Sequence, residues 1–228
     1  MSVLEQLDQQ ATLALNGSHS LFWDNVMLFM TETHAWVLVF ASLLVVIFRN
    51  NSLRGVLIIL VAMALLLALT DALCSGWVKP TVARWRPTQD PFLMYEMDVV
   101  AGRRGGNYGF FSGHACNTFS QALFLTLLLR HTPATITVYV WAALHTFTRL
   151  YLGVHYVGDV LVGAAVGSVL GLLMYALYER VRRRWGDPPL VSGQFTAAGY
   201  LRTDLSAFVA ASLLNYFIVL IVAMGMGI

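Results

Sequence analysis

Long apolar runs alternate with short polar breaks along this chain. Six runs stand out, over residues 35–48, 53–74, 114–129, 134–152, 156–178 and 205–225. A helix needs about 20 mostly apolar residues to cross a bilayer, and each run is read as one crossing. The first is short and is extended back toward Met27 through "FWDNVMLFMTETHAW", whose Asp24, Glu32 and His34 are expected near an interface. Ahead of it, "SVLEQLDQQATLALNG" carries apolar residues at Val3, Leu4, Leu7, Ala11, Leu13, Ala14 and Leu15. That pattern fits an amphipathic helix lying on the membrane surface and ended by Asn16-Gly17. The expected fold is all-α: a polytopic membrane helix bundle of about six transmembrane helices plus an N-terminal amphipathic surface helix at residues 1–18, forming one integral-membrane domain over residues 1–228.

Composition agrees with lipid as the main solvent. The 228 residues are 58% hydrophobic and only 11% charged, where a soluble domain carries about 25% charge. The net charge of +2 is too small to point to a nucleic-acid partner. Cys74 and Cys116 sit in or beside apolar runs with no close second cysteine, and read as buried thiols acting as small hydrophobes. No secretory signal is expected, since the first basic residue is Arg49.

The polar breaks set the orientation. The turns after the first, third and fifth runs hold Arg49 and Arg54, Arg130, and then Arg180, Arg182, Arg183 and Arg184. The opposite side holds Lys79, Arg84, Arg86, Arg103 and Arg104, so a raw count does not settle the orientation. With the cations assigned to chemistry set aside, the Arg180–Arg184 side is cytoplasmic. Residues 79–111 then form an outward-facing loop, and residues 180–228 a cytoplasmic basic hairpin and last span. The expected location is a bacterial inner membrane, with the site toward the periplasm or exterior.

Three outward segments carry unusual polar groups. Lys79, Arg86 and Arg149 each lie at or near the end of a span; alone each reads as a snorkelling residue. Together on one side they suit a multiply charged anion such as phosphate, which arginine binds through paired hydrogen bonds. In "FSGHA", Ser112-Gly113 opens the third span, where unpaired backbone N–H groups attract anions, and His114 stands at the mouth. In "TRLYLGVHYVGD", His155 and Asp159 are four apart and would share one helix face. A carboxylate there fixes the imidazole tautomer and leaves the other ring nitrogen to attack an electrophile or bind a metal. Titratable groups in membrane sequence are costly, which favours function. Asp71, near the outer end of the second span, reads as a solvated helix end or as a partner of a site cation, and His145, one turn before Arg149, as a satisfied interhelical hydrogen bond or a contact of that arginine. Arg103, Arg104 and Asn107 are candidates to touch a headgroup.

In order, Lys79–x6–Arg86-Pro87, Ser112-Gly113-His114 and Arg149–x5–His155–x3–Asp159 together resemble the three-part signature of the type 2 phosphatidic acid phosphatase superfamily. It includes membrane lipid phosphatases, glucose-6-phosphatase and the vanadium haloperoxidases. The signature spans residues 79–159, the helical pattern is similar from about Leu7 to Tyr178, and the 180–228 tail is unmatched. Phe111 stands where the family usually has proline, and Thr148 where it usually has serine.

The resemblance implies a metal-free phosphatase acting through a phosphohistidine. It makes His155 the nucleophile, Asp159 its orienting carboxylate, and His114 the general acid. Lys79, Arg86, Ser112, Gly113 and Arg149 hold the phosphoryl oxygens. No cofactor is implied. The partners are the bilayer and a lipid phosphate or pyrophosphate: phosphatidylglycerol phosphate, phosphatidic acid, undecaprenyl pyrophosphate or a lipid A phosphate. Two alternatives are a small transporter or channel with an anion-binding site, and a vanadate-dependent oxidative enzyme. Transporter sites lie near the midplane, whereas these charges lie at helix ends, and the known vanadate enzymes are soluble.

Overall fold

The computed structural model describes residues 2–186 and 188–226, and among these the regular structure is helical, with no strand. Helix α1 (Val3–Leu15) opens with a capping box: Ser2 Oγ accepts from Glu5 N–H at 3.2 Å and Glu5 Oε2 accepts from Ser2 N–H at 2.7 Å. Its Val3, Leu4 and Leu7 are exposed while Thr12 is fully buried, so one face is free for an apolar interface and the other is docked on protein. Helices α2 (Leu21–Met30), α3 (Val37–Asn50), α4 (Leu53–Asp71), α5 (Lys79–Val82), α6 (Gly113–Leu129), α7 (Thr132–Tyr151), α8 (Val157–Trp185) and α9 (Arg202–Gly225) follow.

Four stretches are long and apolar enough to cross a membrane: Thr33–Asn50, Leu53–Val82, Val157–Trp185 and Arg202–Gly225. Helices α6 and α7 are more polar because much of their surface faces other helices. Their buried Thr118, Thr137 and Thr148 hydroxyls donate to carbonyls one turn back, at 2.9, 2.9 and 2.6 Å, so these three polar hydrogens are satisfied inside their own helices. The six long helices α3, α4 and α6 to α9 match the expected bundle.

Three boundaries differ from the apolar pattern. The first run does not extend smoothly back to Met27. The helix stops at Met30 and restarts through a 3₁₀ turn at Thr33–Trp36. The carbonyls freed there find buried donors: Met30 O accepts from Trp36 Nε1 at 2.8 Å and lies 3.1 Å from His145 Nδ1, and Ala35 O accepts from Asn215 Nδ2 at 3.0 Å. Broken helix is tolerated at membrane depth only with such partners. The second run continues past Cys74 through a π-helical turn, Ala72–Val78, into α5. The fifth continues past Tyr178 to Trp185, so the basic residues expected in a hairpin lie on helix. Glu179 bonds Arg182 at 2.7 Å and Arg183 at 2.9 Å, three and four positions on, and the cations suit the helix C-terminus. Among the described residues, what remains of the hairpin is a bridge between Phe195 and Leu201.

The most intimate contact is between α6 and α8, which run parallel. Gly163, Gly167 and Gly171 form the α8 side of the seam. A Cβ on them would sit 2.5, 2.2 and 2.4 Å from the Ser112, Cys116 and Ser120 carbonyl oxygens. Only glycine permits that approach. The two helices therefore begin side by side, and Ser112 N–H donates to Asp159 O at 2.9 Å.

Candidate active site

Two helix N-termini thus open at one end of the bundle, and cations from three other segments close over them. Ser112 is the N-cap of α6: its Oγ accepts from Ala115 N–H at 3.4 Å, and its hydroxyl hydrogen remains available to a ligand. A Cβ on Gly113 would lie 3.3 Å from Cys74 Sγ and 3.8 Å from Lys79 Nζ, which puts the ammonium over the start of α6. Lys79 reaches that place because the π turn carries the chain past the helix end expected at Cys74. Cys74, buried and unpaired, donates Sγ–H to Phe111 O at 3.2 Å. Phe111 packs with Cys74 and Cys116, so the residue in the family's proline position is a core residue.

Arg86 lies on an extended stretch after α5. Arg86 N–H donates to Asn107 O at 3.0 Å and Gly109 N–H to Arg84 O at 2.9 Å, a two-bond ladder that pins residues 84–86 to 107–109. Its Nη1 donates to Val154 O at 3.0 Å and lies 3.3 Å from His155 Nε2. Arg149, nearly buried in the last turn of α7, donates Nη1–H to Thr31 Oγ1 at 2.5 Å. The Nε–H groups of both arginines are buried with no hydrogen-bond partner. Two buried guanidinium donors without acceptors, in each other's electrostatic field and in that of Lys79, form a cradle for an anion with several oxygens.

His155 lies in the loop between α7 and α8 and is 1% exposed. Its Nε2 faces Arg86, and its Nδ1 lies 3.5 Å from Asp159 Oδ2, against the Gly109 backbone. The spacing had placed His155 and Asp159 on one helical face. Instead His155 precedes the helix, and Asp159 is a first-turn residue whose Oδ2 accepts from Tyr156 N–H at 3.1 Å. The carboxylate still faces the imidazole because the cap folds the chain back over the first turn, although at 3.5 Å His155 Nδ1 makes no hydrogen bond. Burial, then the Arg86, Arg149 and Lys79 charges, hold the His155 imidazole well below the ordinary histidine range. His155 is therefore neutral at neutral pH, with a nitrogen lone pair facing the cradle.

His114, in the first turn of α6, stacks on His145 with ring centroids 5.5 Å apart and planes 17° apart, within electrostatic reach of Arg149, His155 and Lys79. The eight residues singled out by sequence thus gather at one end of the bundle. Among the described residues, no three His, Cys, Asp or Glu side chains gather closely enough to hold a metal.

Other expectations resolve individually. Asp71 accepts from Ser75 Oγ at 3.0 Å and sits exposed. Arg103 pairs with Glu32, and Arg104 Nη1 donates to Thr88 O at 2.8 Å. Sequence reasoning missed Thr31, the partner of Arg149, and it missed Arg84. Arg84 Nη1 donates to Asp159 Oδ1 at 2.8 Å and Nη2 to Asp8 Oδ2 at 2.7 Å. Its signal was the spacing: residues two apart on extended backbone face the same way, so Arg84 accompanies Arg86.

A family model described as "PAP2 superfamily" matches residues 55–183. The chain is 37% identical to a lipid A 4'-phosphatase of Bacteroides thetaiotaomicron, over 90% of this chain and 91% of that one. It is 33% identical to a lipid A 4'-phosphatase of Porphyromonas gingivalis, over 81% and 78%. With phosphatidylglycerophosphatase B of Bacillus subtilis the identity is 31%, over 50% and 56%. The crystal structure of a transmembrane PAP2-type phosphatidylglycerolphosphate phosphatase from Bacillus subtilis shares the fold, with a TM-score of 0.59 at 23% identity, covering 80% of this chain and 90% of that one.

Proposed function

The chain belongs to the PAP2 superfamily and is an integral-membrane lipid phosphatase, and from that premise we propose that it removes the phosphate monoester of a lipid A-type glycolipid through a phosphohistidine on His155, without metal. The observation that carries the mechanism is the pair of buried, unpartnered guanidinium N–H groups of Arg86 and Arg149 beside the His155 lone pair. The glycolipid reading rests on the two lipid A 4'-phosphatases, which match over most of this chain, whereas phosphatidylglycerophosphatase B matches over half of it.

In this reading the phosphate oxygens take the Lys79, Arg86 and Arg149 cations, the Ser112 hydroxyl and the Gly113 N–H. His155 Nε2 displaces Arg86 Nη1 as the neighbour it faces and attacks phosphorus. The N–P bond forms as the P–O bond to the lipid breaks, and His114 gives its proton to the departing oxygen. His114 then takes a proton from water as that water attacks phosphorus, releasing inorganic phosphate and restoring neutral His155. Most of the rate enhancement comes from positioning and from charge aimed at the phosphoryl oxygens. The cradle lies at the ends of the helices, which favours this reading over a midplane transport site. We place the site on the periplasmic face of an inner membrane, supported by the arginine-rich opposite end of α8.

The test is phosphate release by the purified protein from 4'-phosphorylated lipid A, phosphatidylglycerol phosphate, phosphatidic acid and undecaprenyl pyrophosphate, each with and without EDTA. Fastest release from lipid A, unchanged by EDTA, is expected. Turnover of phosphatidylglycerol phosphate but not lipid A would overturn the substrate, and loss of activity in EDTA would overturn the metal-free route.

A further inference from the structure

A chain of charged groups leads away from the cradle to the N-terminal helix. Asp159 is fully buried. Its Oδ2, bonded to Tyr156 N–H, is the oxygen turned toward His155, while its Oδ1 accepts from Arg84 Nη1 at 2.8 Å. The Arg84 guanidinium lies 3.9 Å above the Tyr156 ring, whose hydroxyl donates to Asp90 Oδ2 at 2.8 Å. The other Arg84 terminal nitrogen donates at 2.7 Å to Asp8 Oδ2 on α1, and Asp8 Oδ1 accepts from Gly158 N–H, at the start of α8, at 2.7 Å. One turn along α1, Thr12 Oγ1 accepts from Val157 N–H at 3.1 Å. Helix α1 is therefore the cap of α8 and supplies the counter-ion of the arginine that grips Asp159.

A buried carboxylate needs a paired charge. Arg84 supplies it and occupies Oδ1, which leaves Oδ2 aimed at the imidazole. We propose that Arg84 and Asp8 are positioning residues for the His155–Asp159 pair: Arg84 fixes and partly neutralises the carboxylate, and Asp8, delivered by α1, fixes Arg84. The proposal rests on the reading of His155 as the nucleophile.

The groups that face the pair are Lys79 after the π turn, Arg84 and Arg86 from the extended stretch, His114 from α6, Arg149 from α7, Tyr156 at the cap, Asp90 behind it and Asp8 from α1. Among the described residues, Arg84 is the cation bonded to Asp159. Removing its charge exposes His155 to the full carboxylate field, so protonation becomes easier and activity is lost at higher pH. Removing the Asp8 charge leaves Arg84 less neutralised, which screens Asp159 more strongly and moves the same limb to lower pH. A purely structural role would not produce shifts of opposite sign.

The experiment measures kcat, KM and the acid limb of kcat/KM for phosphate release from lipid A by Arg84→Gln, Arg84→Lys, Asp8→Asn and Thr12→Val. In Arg84→Gln, kcat is expected to fall about tenfold or more with KM nearly unchanged, and the limb to move up. In Asp8→Asn the limb moves down. Arg84→Lys keeps the charge and so keeps the limb, with part of the kcat loss. Thr12→Val removes a cap from the same helix end without touching charge; it should lower the melting temperature and leave the limb in place. An unmoved limb in both charge variants, or a shift of the same sign in both, would overturn the proposal. The ring ¹⁵N shifts of His155, titrated in histidine-labelled protein and assigned with His155→Gln, report the same displacements without turnover. A wild-type protein that released no phosphate from any lipid would sink the functional reading, and the titration would still decide the role of Arg84 and Asp8.

Discussion

Substituting alanine along the α6–α8 seam tests how closely the site depends on the parallel approach of these helices. At Gly167 the added Cβ lies 2.2 Å from Cys116 O and 2.9 Å from its C and Cα. Since a carbon rarely comes nearer than about 3.0 Å, α6 and α8 must part by about 0.8 Å at Gly167, about 0.6 Å at Gly171 and about 0.5 Å at Gly163. The obstructing atoms are backbone, so no rotamer change relieves them. Overpacking of this kind costs about 1–3 kcal/mol, and Gly167→Ala should show the largest drop in melting temperature. Activity should follow a different order. Gly163 lies against Ser112, the residue that caps α6 and bonds Asp159, whereas Gly171 lies two turns deeper. A misplacement of about 1 Å at a reacting centre costs about 10²-fold, so Gly163→Ala should lose about tenfold or more in kcat, Gly167→Ala a similar amount, and Gly171→Ala the least. The assays are thermal melts in detergent and phosphate release well below each melting temperature. Gly193→Ala, where the Cβ meets nothing within 4 Å, is the control. Wild-type stability for Gly167→Ala, or activity losses that follow melting temperature alone at all three positions, would refute the reasoning.

Three further predictions follow from single contacts. Arg149→Lys keeps the charge but loses the Nε–H and the forked geometry, and kcat/KM should fall about 10²-fold in steady-state phosphate release. Arg86→Gln removes a cation that holds the His155 imidazole low; easier protonation is expected to move the acid limb of kcat/KM to higher pH than in the wild type. Asn215→Leu strips the donor from Ala35 O at the break before α3, and thermal melts should register a loss of about 1–3 kcal/mol.

The apolar runs marked the starts of the long helices to within a few residues because lipid-facing and core-facing positions are both apolar, so span length dominates the pattern. They failed where backbone groups are satisfied by distant side chains. The break between Met30 and Thr33 depends on Trp36, His145 and Asn215, and no local propensity records such partners. The candidate site residues that gather at the cradle were legible because titratable groups are rare in membrane sequence and these recur at three signature spacings. Arg84 was hidden by the same rule that exposed Arg86: a cation beside a span reads as a snorkelling residue until its partner is known. That partner, Asp159, is 75 residues away, and the next, Asp8, is 76 residues away in the other direction. The seam glycines carried their signal in a four-residue repeat, whose meaning depends on which helix lies opposite.

The central claim is that His155 Nε2 takes the phosphoryl group. The most direct measurement is rapid quench of the purified protein with a ³²P-labelled lipid phosphate, followed by peptide mapping under alkaline conditions. The account predicts an alkali-stable, acid-labile label on the peptide containing His155, formed equally in EDTA and absent in His155→Gln. Steady turnover with no protein-bound label, or a label on another residue, would contradict it.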